Sequence, residues 1–149
     1  MQRKPLTGPE PAAFGHFVNM GDVSAGAYIV QDVSGTAEGA GYRWAYKRPE
    51  LRFMLSKTAN VKFTMDFTFP EVTMRQTGPV TVSYYINGQL LDKVRYDTPG
   101  EKHFEKPVPA LWLRTDGPTL VAVEPDKVYV APRDGAKLGF VLTRAGFTE

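Results

Sequence analysis

From residue 61 to residue 69, apolar side chains fall on every second position. Val61, Phe63, Met65, Phe67 and Phe69 alternate with Lys62, Thr64, Asp66 and Thr68. Successive side chains of an extended chain point to opposite faces, so this spacing predicts a β-strand with one dry and one wet face. Pro70 closes it, because proline has no N–H to give to a ladder. The same grammar recurs. Gly41–Lys47 sets Tyr42, Trp44 and Tyr46 on one face and Arg43 and Lys47 on the other. Leu51, Phe53 and Leu55 resume the alternation after Pro49. Two β-rich runs, 80–86 and 89–96, flank Asn87-Gly88. That dipeptide accepts positive φ at both positions and predicts a type I′ hairpin.

Further strands are predicted at 14–20, 28–33, 102–108, 119–124 and 137–144, with Val128–Val130 inside a long connection. Leu111–Leu113 reads as a strand or a single helical turn. No segment keeps a helical period over a dozen residues, and no internal repeat is present. About nine or ten short strands with regular turn signals predict an all-β fold, an antiparallel β-sandwich. Eight or more strands of this length suit a jelly-roll-like arrangement. The expected organisation is a flexible tail or linker at 1–13, with Pro5, Pro9 and Pro11, followed by a single sandwich domain at 14–149.

Composition narrows the function classes. A chain of 149 residues suits one domain and buries enough surface to hold a core unaided. The net charge of +2 comes from scattered basic residues, which argues against nucleic acid as a partner. No apolar run reaches the ~20 residues of a membrane helix, so no direct membrane insertion is expected. The basic start Met1–Lys4 is followed by no apolar stretch, so no leader is read there. The absence of cysteine removes disulfides, zinc-thiolate sites and cysteine nucleophiles, and leaves the compartment open.

The chemistry-bearing residues are few. Tyr42, Trp44 and Tyr46 form the sharpest candidate, since a flat aromatic row can stack against the C–H faces of sugar rings. The alternative is that the row is core, the commoner fate of an alternating aromatic strand. Tyr84 and Tyr85 point to opposite faces, so one of them lies outside the core. Trp112, beside Pro107 and Pro109, either plugs one end of a sandwich or is an exposed binding residue. Arg43 and Asp92 are candidates for directional hydrogen bonds to hydroxyls. His16 and His103 stand apart, without a partner at a metal-ligand spacing. Asp22, Asp32, Asp126 and Asp134 offer loop oxygens, but no loop of defined calcium-binding pattern. No cofactor and no metal are therefore expected. Asp66 and Asp92 lie on strands and could face each other, as glycoside hydrolysis would require. Neither a nucleophile elbow nor a phosphate cradle is present.

Three stretches carry a resemblance: Tyr42-Arg43-Trp44, then Gly78–Val82 leading through Asn87-Gly88 to Pro99–His103, then Val130–Phe140 ending in Arg144–Phe147. Over roughly residues 40–147 the chain resembles a bacterial galactose-binding-like jelly-roll module found beside glycosyltransferases and related sugar enzymes. The resemblance implies an accessory, non-catalytic role with a glycan or a sugar-processing protein as partner. The expected function is thus carbohydrate binding without catalysis through Trp44, Trp112, Tyr42 and Tyr46, with Arg43 and Asp92 in support. The alternatives are a structural or protein-interaction domain whose aromatics are all core and, more distantly, a jelly-roll hydrolase.

Overall fold

The computed structural model describes residues 14–37 and 41–149; the tail read at 1–13 lies outside the described residues. The strands are β1 (Phe17–Asn19), β2 (Ile29–Val33), β3 (Arg43–Phe53), β4 (Val61–Phe69), β5 (Val80–Ile86) and β6 (Gln89–Tyr96). They continue with β7 (Gly100–Val108), β8 (Thr119–Pro125), β9 (Tyr129–Val130), β10 (Lys137–Leu138) and β11 (Phe140–Thr148). All pairings are antiparallel. The domain is an all-β, jelly-roll-like sandwich. One layer runs β7-β4-β11, with β1 and the first half of β3 on the far edge of β11. The other runs β6-β5-β8 to the second half of β3, with β2 beyond it.

Ring contacts between the layers define the core. Tyr84 of β5 stacks on Phe104 of β7 with centroids 3.7 Å apart, and Phe67 of β4 meets Tyr96 of β6 at 5.4 Å. Burial holds the Tyr84 hydroxyl neutral, its pKa pushed well up, and it shares a 2.7 Å hydrogen bond with the Tyr96 hydroxyl. Tyr85, on the other face of β5, is half-buried beneath the Arg48 guanidinium. The five apolar residues predicted inward on β4 are all buried. Of their predicted outward neighbours, Thr64 is also buried. It sits opposite Gly146, over which the Phe17 ring packs.

Three local differences from the sequence reading have physical causes. The predicted strands at 41–47 and 51–55 are one strand, β3, which passes through Pro49. Its neighbour on one edge is β11 as far as Ala45 and β8 from Glu50, so Pro49 falls where no ladder bond is required. There the Asp32 carboxylate accepts the Arg48 N–H at 2.9 Å in place of a backbone carbonyl. The segment Glu71–Thr77, too short to show a helical period, forms a single helix, α1, between Pro70 and Gly78. Ala110–Trp112 is a 3-10 turn, the helical one of the two readings offered for that stretch. The last predicted strand is divided at Gly139, where a Cβ would lie 2.6 Å from the Tyr46 carbonyl oxygen. The Asn87-Gly88 turn has positive φ at both residues, 49° and 83°, as the hairpin requires. Among the described residues no helix is long and apolar enough to cross a membrane.

Candidate functional site

Odd-numbered residues of the first half of β3 face the core: Arg43 and Ala45 are buried. By alternation, Tyr42, Trp44 and Tyr46 face outward. The reason lies in Arg43, which has only 5% of its surface exposed. Its Nε donates to the Met20 carbonyl at 2.9 Å and its Nη1 to the Ser34 carbonyl at 3.0 Å. Two main-chain oxygens thus satisfy the buried guanidinium and fix the direction of the strand. The expectation that Arg43 bonds a ligand hydroxyl is therefore corrected: its donors tie loops together beneath the sheet.

Strand register builds a surface around Trp44. Across four strands, Trp44 pairs with Val141, Val141 with Thr68, and Thr68 with Glu101. Tyr42, Trp44, Thr68, Pro70, Glu101, Val141 and Thr143 line a depression of about 490 Å³. The next row holds Arg144, Asp66 and His103 on β11, β4 and β7. Between the rows, β11 shifts register at Leu142/Arg144, which leaves Thr143 as the extra residue of a bulge. A second depression, of about 310 Å³, is lined by Asp66, Lys102, His103 and Arg144 and again by Thr68, Glu101 and Thr143. These three shared residues set the two depressions side by side on one face, and together they are the groove described below.

The charged row is tightly bonded. His103 Nδ1 lies 2.6 Å from Asp66 and its Nε2 3.2 Å from Glu105. Arg144 Nε donates to the other Asp66 oxygen at 2.6 Å, and Lys62 meets Glu105 at 3.4 Å. A histidine with a carboxylate at each nitrogen favours the doubly protonated ring, because a carboxylate accepts and cannot donate. The hydrogen bond to Asp66 accordingly raises the His103 pKa above its ordinary value, against some loss from burial. Burial opposes ionisation of Asp66, but the hydrogen bonds from His103 and Arg144 outweigh it and hold the carboxyl below its usual range. Hydrogen bonds from His103 and then Lys62 lower Glu105 as well.

A group whose pKa is raised on folding stabilises the fold fully below its unfolded value and loses that contribution as pH rises through the folded value. Stability is thus expected to fall as pH rises through and above the ordinary histidine range, modestly because the cluster is solvent-exposed. His103→Gln should flatten that dependence in urea titrations. NMR should show the His103 ring titrating above an ordinary histidine in the parent and close to one in Asp66→Asn. A His103 ring that titrates at or below the ordinary value would exclude the paired arrangement.

The other predicted site residues lie elsewhere. Tyr46 borders a separate depression of about 440 Å³ with Asp32, Lys47 and Gly135–Lys137. Trp112 is half-buried against the core, and its carbonyl accepts the Asn87 side chain at 2.7 Å. It therefore closes the hairpin end of the sandwich. Asp92, on β6, pairs with Lys106 at 3.3 Å. Asp66 and Asp92 are thus engaged with different partners instead of with each other. His16 bonds the Phe147 carbonyl through Nδ1 at 2.6 Å. The carboxylates of Asp32, Asp126 and Asp134 accept main-chain N–H groups. Among the described residues no group of three or more His, Cys, Asp or Glu is placed to hold a metal ion. The sequence reading missed His103, Glu105 and Arg144. The spacing of two between His103 and Glu105 on a strand was the available signal; Arg144 had none.

No protein-family model and no curated protein sequence matches the chain. Solved structures do. A family GH115 4-O-methyl-α-glucuronidase with specificity for decorated arabinogalactans superposes with a TM-score of 0.51 at 12% identity. The match covers 99% of this chain and 19% of that one, so the chain spans about a fifth of that enzyme. A family 35 carbohydrate-binding module from Clostridium thermocellum gives 0.49 at 10% identity, over 89% of this chain and 98% of that one. A family 35 module from an environmental isolate gives 0.44 at 12% identity, over 92% and 88%. At such identities the likeness is one of fold.

Proposed function

We propose that this domain is a non-catalytic carbohydrate-binding module, and that a glycan lies on the outer face of the β3-β11-β4-β7 layer. The observation that carries the reading is the outward placement of Trp44 and Tyr42 along a groove that also holds polar side chains. An aromatic plane supplies apolar contact to the C–H face of a sugar ring, and the neighbouring hydroxyls and carboxylate supply direction. Tyr42 and Trp44 serve as the platform. Tyr46 and Trp112 are left out of it, as are Arg43 and Asp92, by their positions.

Binding without catalysis also fits the electrostatics. Glycoside hydrolysis needs one carboxyl group held protonated beside one held ionised. Asp66, the carboxylate of the groove's charged row, is pushed towards ionisation by its cationic partners and so is not held as the acid. That the chain matches a fifth of a sugar-processing enzyme suits an accessory module working beside such an enzyme.

The test is calorimetric or NMR titration with a panel of oligosaccharides. A shallow platform excludes little water, so dissociation constants of roughly micromolar to millimolar are expected. A neutral glycan releases no counterions, so added salt should change them little. Trp44→Ala should keep the melting temperature near that of the parent and lose at least roughly tenfold in affinity, as removal of a stacking anchor does. If no sugar perturbs the parent spectrum, or Trp44→Ala unfolds the domain, the proposal fails.

A further inference from the structure

The polar half of the groove is built as if to hold something beyond the ring that Trp44 can reach. Four groups there carry unspent hydrogen-bonding capacity. The hydroxyls of Thr68 and Thr143, the Glu101 carboxylate and the two Nη nitrogens of Arg144 make no hydrogen bond among the described residues. Thr68, Thr143 and Glu101 stand where the two depressions join. Arg144 is anchored at one nitrogen only: its Nε is held by Asp66, which His103 holds from the other side. A guanidinium pinned in this way presents its remaining donors in a fixed plane, at little further cost in side-chain entropy. The ion-pair row thus buttresses a donor that it does not use up.

Distance sets the size of the ligand. Neighbouring strands lie about 4.8 Å apart, so Trp44 on β3 and Glu101 on β7, three strands away, are separated by roughly 14 Å. A single six-membered ring on Trp44 does not bridge that interval. Building on the carbohydrate reading, we infer that the ligand is an oligosaccharide longer than one ring that crosses the strands. One ring stacks on Trp44, and the next lies over Thr143 and Arg144 with its hydroxyls bonded to Thr68, Thr143, Glu101 and Arg144. Arg144 is a binding residue of this second subsite, and Asp66 and His103 position it.

The experiment uses the full chain and four homologous series: glucose, xylose, mannose and galactose, each with its β-1,4-linked dimer and tetramer. Affinity is read by calorimetry, and contacts by amide shifts in two-dimensional NMR. In the series that binds, the tetramer should bind roughly tenfold or more tighter than the monosaccharide, the gain expected of one added subsite. The amide of Arg144 should shift with the dimer and tetramer and stay still with the monosaccharide. Arg144→Gln should erase the gain from length while leaving monosaccharide binding intact. Arg144→Lys, which keeps the charge but loses the planar fork, should do nearly the same. Trp44→Ala should abolish binding at every length. A tetramer no tighter than the monosaccharide, or a length gain that survives Arg144→Gln, overturns the second subsite. If Trp44→Ala still abolishes binding in that case, the stacking platform stands alone and the charged row is structural. Absence of binding by every series overturns both the subsite and the platform.

Discussion

Phe67→Ala is expected to cost roughly 3–5 kcal/mol of folding stability, the range for deleting a fully buried phenylalanine. Phe67 has 1% of its surface exposed and lies at the centre of an aromatic cluster. Its ring centroid is 5.1 Å from Phe140, 5.4 Å from Tyr96 and 5.5 Å from Phe69. These partners belong to β11, β6 and β4 itself, so the ring joins both layers. None of them can swing into the vacated space without abandoning another contact, and the site relaxes little. For a domain of this size the melting temperature should drop by roughly 10 °C. The neighbouring Thr68→Ala, on the outer face, should stay within about 0.5 kcal/mol. Urea denaturation of the two variants checks the face assignment of β4. A loss below about 1 kcal/mol at Phe67, or a larger loss at Thr68, would mean that the strand is turned the other way.

Gly146→Val should be comparably damaging for a different reason. Gly146 has a φ of 153°, a conformation side chains rarely adopt. A Cβ there would run into the His16 carbonyl oxygen and lie 2.5 Å from the Phe17 Cα. Both are main-chain atoms of the segment leading into and forming β1, which pairs with β11 at this position and is tied to it by a 2.6 Å bond from the Phe147 N–H to the His16 carbonyl. Backbone cannot step aside as a side-chain end can. The combined strain and overpacking should cost about 3 kcal/mol or more, through loss of the β1 docking. Gly35→Ala, where nothing lies within 4 Å of the added carbon and φ is unexceptional, is the matched control and should be near neutral. Amide exchange adds the local reading: in Gly146→Val the protons of residues 17–20 should exchange faster than those of β4. If Gly146→Val melts within a degree of the parent, β1 does not lie against β11 as described.

Alternation of apolar and polar residues is a local property, and it fixed the strands wherever one face was plainly apolar. That is why β4, the Asn87-Gly88 hairpin and the all-β class could be read directly from the chain. The same locality explains the errors at Pro49 and Gly139. Proline and glycine normally punctuate strands, but β3 passes through Pro49 because its neighbour changes there, which no stretch of nearby sequence records. The aromatic strand was ambiguous for a related reason. Its odd and even faces both carry large side chains, and two carbonyls, from Met20 and Ser34, decide that Arg43 goes in and Trp44 out. The groove is still further from the sequence. Asp66, His103 and Arg144 stand 37 and 78 residues from their partners along the chain, and only the register of β4 with β7 and β11 makes them neighbours. The sequence by itself determined the period, the turns and the content of the core, because those follow from short-range geometry and burial. Tertiary structure alone decided which face of β3 meets water and which polar groups share it, because these depend on strand pairings made across long stretches of chain.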